Sequence, residues 1–94
     1  MAKYHVTVMN ENGKLVKQKD TSSIKDARAF GVRNLKTQSG TVYIKEGEIY
    51  SVKNSFMDAP GGRIERMGNT YYFIQDGVCW TVYKDGSLGR KEIL

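Results

Sequence analysis

Residues that carry chemistry are scarce in this chain. Its 94 residues include one cysteine, Cys79, and one histidine, His5. A lone cysteine excludes an internal disulfide, and one Cys with one His cannot supply a four-ligand zinc site. A Cys79–His5 nucleophile pair would need a tertiary contact that nothing in the spacing provides. Cys79 therefore reads as a small semi-buried residue beside Trp80, and His5 as an outward-facing strand residue. No G-x-G-x-x-G occurs, and "GKLVK" lacks the first glycine of a phosphate-binding loop. No catalytic residue, metal or cofactor is expected, and the chain reads as a binding protein rather than an enzyme.

Other absences bound the class. Proline occurs once, as Pro60 in "NSFMDAPGG". No apolar run approaches the ~20 residues of a membrane-spanning helix, and no charged-then-apolar leader opens the sequence. Small secreted domains commonly carry several disulfides, so the single thiol favours a reducing compartment. The expectation is one domain over residues 1–94, cytoplasmic, with no membrane partner.

What the chain does have is positive charge. Fifteen Lys and Arg stand against ten Asp and Glu, for a net charge of +5. Residues 1–38 carry Lys3, Lys14, Lys17, Lys19, Lys25, Arg28, Arg33 and Lys36 against Glu11, Asp20 and Asp26. The remainder is balanced. Asymmetry of this kind points to an anionic partner.

The elements follow from periodicity. Tyr4, Val6 and Val8 alternate with His5, Thr7 and Met9, and Asn12-Gly13 supplies a tight turn into a short strand over Leu15–Gln18. In "TSSIKDARAFGVRNLKTQSG", Ser23 is positioned to cap a helix, with Asp26 three residues on. Ile24, Ala27, Gly31 and Leu35 form its inward stripe, with Phe30 at the edge. Gly31 there suggests a close approach of helix to sheet. Ser39-Gly40 ends the element. Strands then read over Thr41–Glu46, Glu48–Lys53, Arg63–Met67, Thr70–Gln75 and Val78–Lys84, divided by Gly47, the 54–62 loop, Gly68-Asn69 and Asp76-Gly77. Asp85-Gly86 turns the chain into a final segment. The expected fold class is α+β: β-β-α followed by an antiparallel β-meander, with one helix packed on a sheet.

"VYIKEGEIYSV" and "YYFIQDGVCWTV" align without a gap, pairing Ile44 with Ile74, Gly47 with Gly77 and Val52 with Val82. Shared hairpin grammar accounts for the match better than duplication. Within the second copy, "GNTYYFIQDGV" resembles part of the aromatic-glycine repeat of choline-binding and glucan-binding cell-wall modules. Those modules use tandem copies with a tryptophan before the tyrosine pair. Here Thr70 holds that place and the copy is single, so the resemblance assigns no family.

Two functional expectations emerge. In the first, the N-terminal hairpin and helix dock on nucleic acid, or on the acidic face of a nucleic-acid-handling protein, through Lys14, Lys17, Lys25, Arg28, Arg33 and Lys36. Val32 among these charges hints that the flank is partly covered. The short basic chain has the style of phage and mobile-element accessory or inhibitor proteins. In the second, the aromatic strands and the 54–62 loop form a protein contact or homo-oligomer interface, with Tyr50, Phe56 and Met57 as the contacting residues.

Overall fold

A computed structural model describes residues 4–46 and 61–93. Seven strands and one helix run in the order β1 (Tyr4–Met9), β2 (Leu15–Thr21), α1 (Ile24–Asn34), β3 (Thr41–Glu46), β4 (Arg63–Met67), β5 (Thr70–Gln75), β6 (Val78–Val82) and β7 (Leu88–Ile93). All pair antiparallel in one sheet ordered β2-β1-β3-β4-β5-β6-β7. This is the expected α+β arrangement, with the helix after two strands and a meander behind it. Among the described residues no helix is long and apolar enough to cross a membrane.

Register decides which face the helix covers. Val6 pairs with Ile44, Val8 with Val42, Val42 with Ile64 and Ile64 with Phe73, so these residues share one side. Each is at most 1% exposed, and with Ala27, Val32, Leu35 and Val82 they form the core. Tyr71, Phe73, Trp80 and Val82 lie on this side too, while Tyr72 and Ile74 face the other. Phe73 and Trp80 pack as a tilted ring pair with centroids 5.9 Å apart.

The helix begins where its cap predicts. Ser23 is extended, and its hydroxyl accepts from the Asp26 amide at 3.1 Å. It ends at Asn34, short of Ser39-Gly40. There the Asn34 side chain donates to the Phe30 carbonyl at 2.8 Å, and Leu35, in extended conformation, donates to Gly31. Gly31 rests directly on the sheet. A Cβ at that position would stand 2.8 Å from Val42 Cγ1 and 3.0 Å from Ile64 Cδ1.

Two strand limits differ from expectation. β2 continues to Thr21, because an edge strand needs no apolar alternation to pair: His5 aligns with Asp20 and Tyr4 with Thr21. β6 stops at Val82 rather than Lys84, since Tyr83 enters a turn in which its amide donates to Ser87 and its carbonyl accepts from Gly86. The second copy of the repeated pattern is the β5–β6 hairpin, turned by Asp76 at φ 52° and Gly77 at φ 78°. The first copy begins in β3; the expected Glu48–Lys53 strand lies outside the described residues.

The turn before β7 closes on the helix. Gly86 has φ 89°, and a Cβ there would run into the Lys25 carbonyl oxygen and lie 3.1 Å from the Ala29 amide nitrogen. Gly86→Ala therefore combines backbone strain with a backbone clash and is expected to cost about 3 kcal/mol or more. Gly31→Ala meets only side-chain atoms. Its overpacking, about 1–3 kcal/mol, is offset by about 1 kcal/mol of helix propensity. Urea denaturation of both variants should rank Gly86→Ala as clearly the more damaging.

Candidate functional site

The cations of the first two elements converge beside α1. Lys17 and Lys19 pair across β2–β1 with the core residues Val8 and Val6, so both sit on the helix side of the exposed edge strand. From the helix side come Arg33, in its last turn, and Lys36, just beyond its end. A furrow runs between strand and helix as two depressions. One, of about 400 Å³, is lined by Lys17 and Lys36 with Val8, Val16, Asn34 and Leu35. The other, of about 380 Å³, is lined by Lys19, Phe30 and Arg33 together with Asp20, Asp26 and Asp85.

Charge along this furrow is graded. The end by the helix C-terminus is basic, and the end by its N-terminus carries the carboxylates. That polarity matches the helix dipole, which favours Asp26 in the first turn and Arg33 in the last. Among the described residues none of Lys14, Lys17, Lys25, Arg33 or Lys36 has a carboxylate within ion-pair distance; the pairs formed are His5–Asp20, Arg63–Glu65 and Arg90–Glu92. Lys19 lies over the Phe30 ring, with Nζ 5.6 Å from its centroid. Glu11 stands near the basic end, accepting from the Thr37 hydroxyl at 3.0 Å.

The six expected contact residues thus divide. Lys17, Arg33 and Lys36 line the furrow. Lys14 lies in the turn that leads into it, where its amide donates to the Asn10 side chain. Lys25 is exposed at the other end of the helix, near Asp85. Arg28 points inward instead. Its Nε donates to the Gly86 carbonyl at 2.8 Å and its guanidinium lies 5.2 Å from the Phe73 centroid. Burial pulls its pKa down from the ordinary value, with the Tyr4 phenol acting the other way. Arg28 ties helix to sheet, and Val32, 2% exposed one turn on, marks the same covered flank.

Lys19 and Phe30 belong to the furrow as well. The signal that finds Lys19 is its i+2 spacing from Lys17 on one face of a strand. Tyr50, Phe56 and Met57, the alternative contact residues, lie outside the described residues.

His5 and Cys79 share the helix-free face but sit on β1 and β6, four strands apart in the sheet order and roughly 19 Å along it. His5 Nδ1 is 2.5 Å from Asp20 Oδ1. Burial pushes the Cys79 thiol up, and Glu92 and Glu65 push the same way, so it is held as the poorly nucleophilic thiol. Among the described residues no group of three or more His, Cys, Asp or Glu is placed to hold a metal ion.

Comparison with protein-family models, with curated proteins and with solved structures gives no match. Function must be argued from the geometry.

Two outcomes follow from these placements. Arg28→Ala removes a charged hydrogen bond and a cation–π contact and should lower stability by about 2 kcal/mol. Lys25→Ala, at an exposed position, should stay within about 0.5 kcal/mol of wild type in the same denaturant titration. The Asp85 carboxyl is held below its usual range, first by the Ser87 hydroxyl and then by the Ser87 amide. A depressed carboxylate stabilises the fold above its unfolded value of about 3.9, and that contribution disappears as pH falls through the folded value. Stability measured between about pH 6 and pH 2.5 should therefore fall less on acidification in Asp85→Asn than in wild type.

Proposed function

We propose that this chain is a non-catalytic binding protein that docks on the phosphate backbone of a nucleic acid through the furrow between β2 and the C-terminal half of α1. The reading is supported above all by one observation: Lys17, Arg33 and Lys36 line the furrow with no carboxylate within ion-pair distance among the described residues, and Lys19 lines it with Arg33, over Phe30. Cations held in proximity on a rigid strand and helix attract an anion more strongly than the same charges spread over a surface. Lys14 extends the basic end along the hairpin. Arg28 has no part in this surface, and Lys25 lies near Asp85.

Contacts of this type position a backbone and carry no base sequence. The protein is accordingly a low-specificity binder of the accessory kind, acting in the cytoplasm, where a single buried cysteine such as Cys79 stays reduced.

The salt dependence tests this. About four phosphate contacts give a slope of about −3.6 in log K against log salt on duplex DNA, roughly a 150-fold loss between about 50 and about 200 mM. Fluorescence anisotropy on a labelled duplex and a labelled single strand should show that dependence. Lys17→Ala/Arg33→Ala/Lys36→Ala should reduce the slope by about one per contact removed. Arg63→Ala, on the far face, should behave as wild type. Absence of binding to any DNA or RNA at low salt, or a triple variant equal to wild type, overturns the reading.

A further inference from the structure

A second groove lies on the opposite flank of the helix, away from β2, and none of the basic furrow residues lines it. Val32 and Val82, 2% and 3% exposed, are among its lining residues, together with Tyr71 and Tyr83. Its volume is about 640 Å³, within the range of small-molecule sites. Its remaining lining is polar and uncharged, from Asn69, Thr70 and Thr81, or cationic, from Lys84 and Arg90. Among the described residues no carboxylate lines it. The Arg90–Glu92 pair, 3.7 Å apart and exposed on both sides, is too weak to hold Arg90 back.

Tyr83 is unusual here. It is 56% exposed, yet its ring is backed by β7: a Cβ on Gly89 would stand 2.6 Å from its hydroxyl oxygen and 2.8 Å from Cε2. Glycine at that position leaves room for the ring to rest on the strand. Tyr71 is fixed as well, its hydroxyl donating to the Leu35 carbonyl at 3.1 Å. Tyr71 and the two valines line the groove from the helix side of the sheet and Tyr83, on the Thr81 side, borders it at the strand ends, together suiting a flat ring. Amide and hydroxyl groups beside them suit the donors and acceptors on that ring's edge, which a hydrocarbon tail would leave unused. Two cations, Lys84 free of a carboxylate among the described residues and Arg90 only weakly paired with Glu92, suit a phosphate.

We propose that this groove binds one nucleotide, with the base against Tyr83 and the phosphate at Lys84 and Arg90. The nucleotide comes either free in solution or as an unpaired residue of a single strand. In the second case the inference extends the phosphate-binding reading above, with the same polymer reaching both flanks of the helix. The residues are different, so the two can fail separately.

Amide resonances of the full chain, followed during titration with uridine monophosphate, uridine and a short oligothymidylate, decide the matter. Shifts of Thr70, Tyr71, Thr81 and Tyr83 are expected. Tyr83→Ala should weaken the interaction roughly tenfold, the loss of one base–aromatic stack. Lys84→Ala/Arg90→Ala should bring the monophosphate down to the level of the nucleoside. Shifts with the monophosphate identify a free-nucleotide site, and shifts with the oligomer alone identify a single-strand site; both sustain the proposal. No shift at these residues with any probe overturns it, as does an unchanged affinity in a folded Tyr83→Ala. Shifts confined to Lys17, Arg33 and Lys36 would sink the groove and leave the furrow standing, whereas shifts confined to the groove would do the reverse.

Discussion

A glycine in the middle of the helix sets the spacing on which the other contacts depend. Gly31 lets α1 rest against Val42 and Ile64 at a separation that a larger residue would prevent. With its axis held there, Ala27 and Leu35 are fully enclosed, and the flanks of the helix reach the sheet on both sides. One flank faces β2 and the other faces the last three strands. The helix works as a divider, with a cationic furrow along one flank and, along the other, a groove that reaches the ends of β5 and β6.

The two flanks are fastened differently. Toward β2 the helix runs close to the strand, yet the side-chain link is Lys19 over Phe30, and the strand itself is exposed along nearly its whole length. Toward the meander the links are polar side chains. Arg28 joins the helix to the Gly86 turn and to Phe73, Tyr71 reaches Leu35, and Arg66 donates to the Lys36 carbonyl at 2.9 Å while lying over the Tyr71 ring. The long basic side chains thus serve two purposes. Those with an aromatic or a carbonyl in reach, Lys19 among them, stitch the layers together, and Lys17, Arg33 and Lys36 are left exposed to solvent.

Much of the architecture was legible because it is written locally. Ser23 caps a helix through an amide three residues away, and Asp76-Gly77 turns a hairpin through its own backbone angles. Alternation in Tyr71–Ile74 sets Tyr71 and Phe73 against Tyr72 and Ile74, but which pair faces the helix is decided by register with the neighbouring strands. The role of Arg28 was not legible. Its partners are 45 and 58 residues further along, and nothing in "KDARAF" marks it apart from the exposed Lys25. The length of β2 was missed for a related reason, since "KQKDT" pairs through its backbone and its partner strand supplies the apolar face. Lys17, Arg33 and Lys36 could be singled out as basic, but which of the basic residues share a furrow depends on strand register and helix rotation together.

The bond from Arg28 to Gly86 has a consequence for how the polypeptide acquires its shape. It joins residues 58 positions apart, and the strand that carries the Gly86 turn into the sheet follows all the other described elements in chain order. The first hairpin and the helix can form while the chain is still emerging from a ribosome, but the latch that seats them comes only after β6. Until then, the valines that will lie beneath the helix have only half their cover. A lysine-rich edge strand discourages association of such a half-covered sheet, because its charges resist pairing with another chain.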